Sequence, residues 1–184
     1  MNEIDVMSAE QLETRVRALE ERRVGDADAL SMVVFSGELD RLLAAFVIAT
    51  GAAASGMRVS MFFTFWGTAA LKRVGPQMKS KSWVERALGW MLPGGFHKRR
   101  LSRLDMGGLG RWMMTREMRR KRVPDLASFV SMAQELDVEL RVCEMSMSLM
   151  GIKKEELIEY PGMSFCGVAS FLETSSGANT TLFI

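Results

Sequence analysis

The sequence predicts an α/β fold, an open and mostly parallel sheet with helices on both faces, and three observations predict it. Runs of β-branched, apolar and aromatic residues at 30–35 (LSMVVF), 58–65 (RVSMFFTF), from 138 (VELRVC) and at 179–184 (NTTLFI) alternate with helical patterns, the order of βαβ units. The second run is apolar at nearly every position, as a strand covered on both faces of a parallel sheet should be. A tight turn through Ser36 and Gly37 then joins the first run to a helix, which is how a βαβ unit opens.

A chain of 184 residues buries one substantial core. The predicted organisation is a helical extension over residues 1–28, one α/β domain over 29–184, and a basic helical insertion within it over 72–124. With 48% hydrophobic and 25% charged residues the composition is that of an ordinary globular protein. Two cysteines are too few for a disulfide-stapled scaffold, and the charge-studded opening predicts no signal peptide, so a reducing cytoplasm is expected. The net charge of +2 conceals an asymmetry: residues 1–28 hold eight acidic and four basic residues, 98–122 ten basic and two acidic, and 124–184 nine acidic and three basic.

In chain order, residues 8–23 (SAEQLETRVRALEERR) predict a helix capped by Ser8, with Leu12, Val16 and Leu19 forming a narrow stripe suited to a partner helix. Residues 25–29 (GDADA) read as a linker. The helix after the first strand is read over 39–55 (LDRLLAAFVIATGAAAS), and the uncharged run that contains most of it, 42–57, has sixteen positions, fewer than the ~20 a membrane span needs. Ser36 or Gly37 is expected near its cap. The second strand ends at Thr64, Phe65, Trp66 and Gly67, on the sheet edge where open α/β sheets bind ligands.

Within the insertion, 82–91 (SWVERALGWM) and 109–122 (LGRWMMTREMRRKR) are amphipathic helix candidates rich in Trp and Met. Two uses are open to them. One is a lid whose apolar side covers the sheet edge while its basic side is solvated, the simpler reading; the other is contact with a membrane surface. Nucleic acid is not expected as a partner, because no recognition motif accompanies the basic charge. Residues 125–136 (DLASFVSMAQEL) form a helix with Leu126, Phe129, Val130, Ala133 and Leu136 on one side. Beyond Cys143, Met145, Met147 and Met150 read as core filler, 153–158 (KKEELI) begins another helix, and Cys166 opens the last helix at 166–174.

The chemistry centres on Cys143, where an apolar strand runs directly into a helix. A thiol there meets the first free N–H groups of that helix, which favour the thiolate and make a nucleophile. The other fate of such a residue is a buried structural cysteine that behaves as a small hydrophobe. Ser146, or the amides of residues 144–146, are placed to hydrogen-bond a charged sulfur, and Ser36, Gly37, Thr64, Phe65, Trp66 and Gly67 to line the same edge. Cys166 is a second thiol that either resolves a persulfide or packs. One histidine, His97, is too few for a zinc site or a convincing Ser-His-Asp arrangement, and no P-loop or GxGxxG follows a strand, so no metal and no cofactor are expected.

Taken together, the segments FSGELDRLLAAFVIATGAAASGM (35–57), FFTFWG (62–67), MGGLG (106–110), CEMSMSLMGIKKEEL (143–157), GVASFLE and the terminal TLFI resemble the DsrE/DsrF-like sulfurtransferases, in particular the longer DsrE-like branch that carries an insertion. The resemblance implies an open, mostly parallel five-stranded sheet and homo-oligomerisation. It also implies that Cys143 is the sulfur-accepting cysteine, which takes sulfane sulfur as a persulfide and passes it to a partner thiol. Rhodanese-like or TusA-like proteins are the implied partners, with peripheral membrane contact for the longer branch. The competing expectation is a non-catalytic oligomeric or membrane-surface scaffold of the same fold.

Overall fold

The computed structural model describes residues 11–15, 17, 28–75, 81–92, 94–96 and 99–184. Of the N-terminal extension, residues 11–15 and 17 are helical and exposed. The expected cap Ser8, Val16 and Leu19 of the expected stripe, residues 25–27 of the expected linker, and His97 lie outside the described residues.

Five parallel strands form one sheet: β1 (Ala29–Val34), β2 (Arg58–Phe63), β3 (Glu139–Cys143), β4 (Met163–Cys166) and β5 (Thr180–Phe183), in the order β4-β3-β2-β1-β5. The helices are α1 (Leu39–Ala54), α2 (Trp66–Ala70), α3 (Trp83–Met91), α4 (Leu109–Arg120), α5 (Leu126–Glu135), α6 (Glu144–Met150) and α7 (Val168–Ser176). From β1 to β4 the chain steps across the sheet in one direction, then returns past β1 to lay down β5. Right-handed crossovers therefore place the helices before β4 on one face and α7, which precedes the return, on the other.

Burial follows this division. Leu30, Met32, Val34, Val59, Met61, Phe63, Leu140 and Val142 project to one side and form the main core with Leu42, Phe46 and Ala49 of α1, Val130 and Ala133 of α5, and Met147 and Met150 of α6. The alternate positions belong to the second face, where Phe62, Cys143 and Phe171 of α7 are buried together, with Val33 and Cys166 packed against them. Phe62 and Phe171 stack at 4.6 Å between ring centroids, seating α7 on the sheet. Two polar contacts fix it further along: Ser31 Oγ lies 2.7 Å from Ser175 Oγ, and Arg141 Nη1 donates to Thr174 Oγ1 at 2.6 Å.

Several local expectations are corrected. The second strand stops at Phe63, because Phe65 takes φ 46°, outside the strand region, and starts the short helix α2. Helix α1 is entered through Glu38, with Ser36 buried two residues upstream. Residues 154–156 make a single 3-10 turn, because the Glu156 carboxylate folds back to accept from the Lys153 amide at 3.1 Å and Leu157 leaves in an antiparallel bridge to Lys72. Cys166 ends β4, where pairing with β3 overrides the helical pattern, and α7 begins after Gly167. Met145 is exposed, whereas Met147 and Met150 are buried.

The insertion also differs from the expected lid. Helix α4 buries no residue, and Leu109, Trp112, Met113 and Met114 stay exposed, Trp112 at 57%. The insertion is tied to the core by the apolar side chains of Leu92, Phe96 and Leu101 and by buried charge. Lys72 is buried and donates to the carbonyls of Gly89 and Leu92 at the end of α3, at 3.4 and 2.8 Å, while buried Arg99 donates to the Ala69 carbonyl in the last turn of α2. Lys81 Nζ meets Glu156 Oε2 at 2.5 Å with both side chains buried, and Ser102 binds Asp40 of α1 through its amide and hydroxyl. Cations on helix C-terminal carbonyls are favourably placed against the helix dipole.

Candidate functional site

Parallel β3 and β4 are neighbours whose carboxyl ends diverge, β3 continuing into α6 on the main-core face and β4 into α7 on the other. Such a divergence is a topological switch point, where open α/β sheets form a crevice. Cys143 is the last residue of β3 and Cys166 the last of β4, and the two are paired in register.

Cys143 occupies the N-cap of α6 with an extended backbone (φ −68°, ψ 113°), at the end of the helix where the first amides lack backbone partners, although its side chain makes no cap hydrogen bond. Helix α6 has only seven residues, so individual polar groups matter more than any summed dipole. Burial of the side chain pushes the thiol up. The polar groups nearby, the Ser146 hydroxyl and amide, the Thr64 hydroxyl and the Met145 amide, act against that burial and hold Cys143 below the ordinary thiol value. No described cation is needed to explain the shift.

Ser146 links the two strand ends. Its side chain is fully buried, its oxygen accepts from the Phe65 amide at 3.0 Å and lies 2.9 Å from Thr64 Oγ1. Each hydroxyl has one proton. If one of the pair donates to the sulfur, the other completes the Oγ–Oγ contact, so two amides and one hydroxyl face Cys143 at any moment. The same bond to Phe65 supports the unusual φ of that residue, which turns the chain out of β2 and brings Thr64 to the sulfur.

The remaining predicted edge residues form a second layer. A Cβ on Gly67 would stand 2.1 Å from the Val34 carbonyl oxygen, and one on Gly37 2.7 Å from that of Trp66, so the loops after β1 and β2 touch backbone to backbone. The Gly67 amide donates to Phe35 at 2.8 Å across this contact. Ser36 accepts from Arg41 Nη1 at 3.3 Å, and β1 is separated from β3 by β2, so Ser36 and Gly37 hold the Thr64 loop without facing Cys143. The Phe65 ring packs against Phe35 at 5.4 Å and Trp66 is half exposed on the rim.

Cys166 is partly exposed. Burial raises its thiol above the ordinary value, and the nearby Arg141 guanidinium opposes that, with the Ser170 hydroxyl as a hydrogen-bond partner. Residue types alone did not single out Arg141, yet its place two residues before Cys143 on one strand puts both on the same face. Among the described residues no group of three or more His, Cys, Asp or Glu is arranged to hold a metal ion, and no helix is long and apolar enough to cross a membrane.

The profile of the DsrE/DsrF/DrsH-like family matches residues 26–183, the whole of this sheet and its helices. The chain belongs to the DsrE/DsrF/DrsH-like family. Over 154 residues it is 36% identical to the uncharacterized protein YrkE of Bacillus subtilis, covering 84% of this chain and 95% of that protein. It is 29% identical over 167 residues to the sulfur carrier protein DsrE2 of Allochromatium vinosum, covering 84% of this chain and 97% of that one. The crystal structure of the YchN protein from E. coli superposes with a TM-score of 0.47 at 8% identity, over 85% of this chain and 99% of that one.

Proposed function

We propose that this member of the DsrE/DsrF/DrsH-like family is a sulfur carrier that accepts sulfane sulfur as a persulfide on Cys143 and hands it to a partner thiol. The observation that carries the reading is a buried sulfur at the strand-to-helix joint, beside the Ser146–Thr64 hydroxyl pair, whose thiol is held below its ordinary value despite burial. The relationship to a named sulfur carrier supports the same class of role.

The chemistry follows from that geometry. The Cys143 thiolate attacks the outer sulfur of a donor persulfide, the donor S–S bond breaks, and the donor leaves as a thiolate. Cys143–S–SH then presents its outer sulfur to an acceptor thiolate, which reverses the step. The Met145 and Ser146 amides and the paired hydroxyls stabilise the charged sulfur before and after each transfer, and burial keeps water and stray thiols away. No metal or cofactor takes part in this exchange.

The partners that suit it are persulfide-bearing or thiol-bearing proteins of the rhodanese-like and TusA-like kinds, and a second copy of this chain. Exposed Met145, Leu149, Val168 and Leu172 surround the switch point, apolar surface of the kind that interfaces use. Docking that involves the basic insertion weakens with salt. The test is peptide mass mapping after exposure to inorganic polysulfide: the Cys143 peptide gains the mass of one sulfur atom, and a Cys143 peptide of unchanged mass refutes the reading.

One observation favours a scaffold instead: Cys143 is 0% exposed, and exposed Trp112, Met113 and Met114 on basic α4 suit a membrane surface. Under that reading polysulfide leaves the mass unchanged and the protein co-sediments with anionic liposomes through α4.

A further inference from the structure

A carrier whose storage sulfur is sealed needs a way in. Resting on the reading that Cys143 stores sulfane sulfur, we propose that Cys166 is the solvent-side station of a two-thiol relay, through which sulfur enters and leaves Cys143. Three independent features of the molecule point there.

The first is juxtaposition. Cys143 and Cys166 are register partners on adjacent parallel strands, so both side chains leave the same face of the sheet. Neighbouring strands lie about 4.8 Å apart, within the Cα separation of roughly 4.4–6.8 Å over which two cysteine sulfurs can bond. Both belong to one packed cluster with Phe62 and Phe171. The second is access: Cys143 is fully buried and Cys166 partly exposed, so an incoming persulfide reaches Cys166 first. The third is topology, because the pair brackets the switch point of the sheet, where the loops after β3 and β4 part.

The surroundings of the two thiols suit different tasks. Burial, with Cys143 and Glu144 nearby, keeps the Cys166 thiol above its ordinary value against the pull of Arg141, which Thr174 and Glu139 hold, while the groups at the α6 entrance hold Cys143 below its own. A thiolate that is well stabilised is also a good leaving group, so sulfur stored on Cys143 is released readily to Cys166.

The steps balance without any oxidant. On entry, the Cys166 thiolate attacks the outer sulfur of a donor persulfide, and the donor leaves as a thiolate. The Cys143 thiolate then attacks the outer sulfur of Cys166–S–SH, forming Cys143–S–SH, while the Cys166–sulfur bond breaks and Cys166 departs as a thiolate that takes up a proton. The sulfane sulfur keeps its oxidation state throughout. Exit runs the same steps backwards to an acceptor thiolate.

The experiment is a rapid-quench time course in which full-length protein meets inorganic polysulfide, is alkylated at intervals, and is mapped by peptide mass. In the wild type the extra sulfur is expected on the Cys166 peptide first and on the Cys143 peptide later. Cys166→Ser and Cys166→Ala are both expected to load Cys143 at least about ten-fold more slowly, since direct attack on the sealed sulfur needs a local opening. Cys143→Ser is expected to pick up sulfur on Cys166 at the wild-type initial rate and to lose it quickly to added thiol. Loading of Cys143 with no earlier signal on Cys166, at an undiminished rate in both Cys166 variants, overturns the relay and leaves Cys143 as a carrier. No sulfur on either peptide in any protein overturns both readings.

Discussion

Removing the two hydroxyls beside Cys143, singly and together, tests how the thiolate is stabilised. Ser146→Ala leaves Thr64 free to donate directly to the sulfur, and Thr64→Val leaves Ser146 to do so, because the two share one outward proton. Thr64→Val therefore keeps one hydroxyl donor and is expected to react within about two-fold of wild type at neutral pH, whereas Ser146→Ala also loses the bond that holds the Phe65 turn and is expected to fall between Thr64→Val and the double variant. The double variant keeps only the Met145 and Ser146 amides. A hydrogen bond to a charged group contributes about 1.5–3 kcal/mol, so at any pH where the thiol is mostly protonated in both proteins, losing the last hydroxyl reduces the thiolate population by about thirty-fold. Intrinsic nucleophilicity rises as the thiol becomes less acidic, with a Brønsted slope of about 0.4–0.5, so the net rate falls by about six-fold. The assay is iodoacetamide alkylation against pH in a Cys166→Ala background, where Cys143 alone reports. At alkaline pH, with every thiol ionised, the order reverses and the double variant reacts about five-fold faster. A uniform slowing at every pH, or Thr64→Val as slow as the double variant, refutes the shared-proton account.

Tyr160 donates to the Val138 carbonyl at 2.6 Å, and burial, with Asp137 nearby, pushes its hydroxyl up to about 12 from an ordinary 10.0. Because the folded value lies above the unfolded one, the stabilisation is complete below pH 10 and is lost as pH rises through about 12; in urea titrations Tyr160→Phe should lack this alkaline loss and be about 1 kcal/mol less stable at neutral pH. Lys81→Met strands the buried Glu156 carboxylate without its ion-pair partner, and chemical denaturation should show a loss of about 3 kcal/mol, reduced in the double variant Lys81→Met/Glu156→Leu. Gly67→Ala drives a Cβ into the Val34 carbonyl at 2.1 Å; the expected outcome is a loss of at least about 3 kcal/mol, with slowed Cys143 alkylation as the Thr64 loop shifts.

Much of this fold was legible because its strands carry strong local signals. The run into Cys143 ends in Val142, buried in the main core, and the helical pattern restarts at Glu144, so the strand-to-helix joint stood out from residue types alone. Strand β4 was missed in the pattern: Met163–Cys166 spans four residues, too short for a period, and its strand character comes from pairing with β3. That miss hid the pairing of the two cysteines. Contact between Ser146 and Thr64 spans 82 positions, and only the pairing of β2 with β3 brings them together. In the insertion, composition suggested an apolar lid over the sheet edge; Leu92, Phe96 and Leu101 do pack on the core, but buried Lys72, Lys81 and Arg99 share the clamp through carbonyls and one carboxylate. Periodicity does not register such contacts, because a lysine reads as surface wherever it falls.

The central claim is that sulfur resides on Cys143 and can be passed on. Peptide mass mapping of one sample, first after polysulfide and again after addition of an acceptor thiol, addresses it most directly. The account predicts that the Cys143 peptide gains one sulfur atom in the first step and returns to its starting mass in the second. A Cys143 peptide unchanged by polysulfide in the folded protein contradicts it.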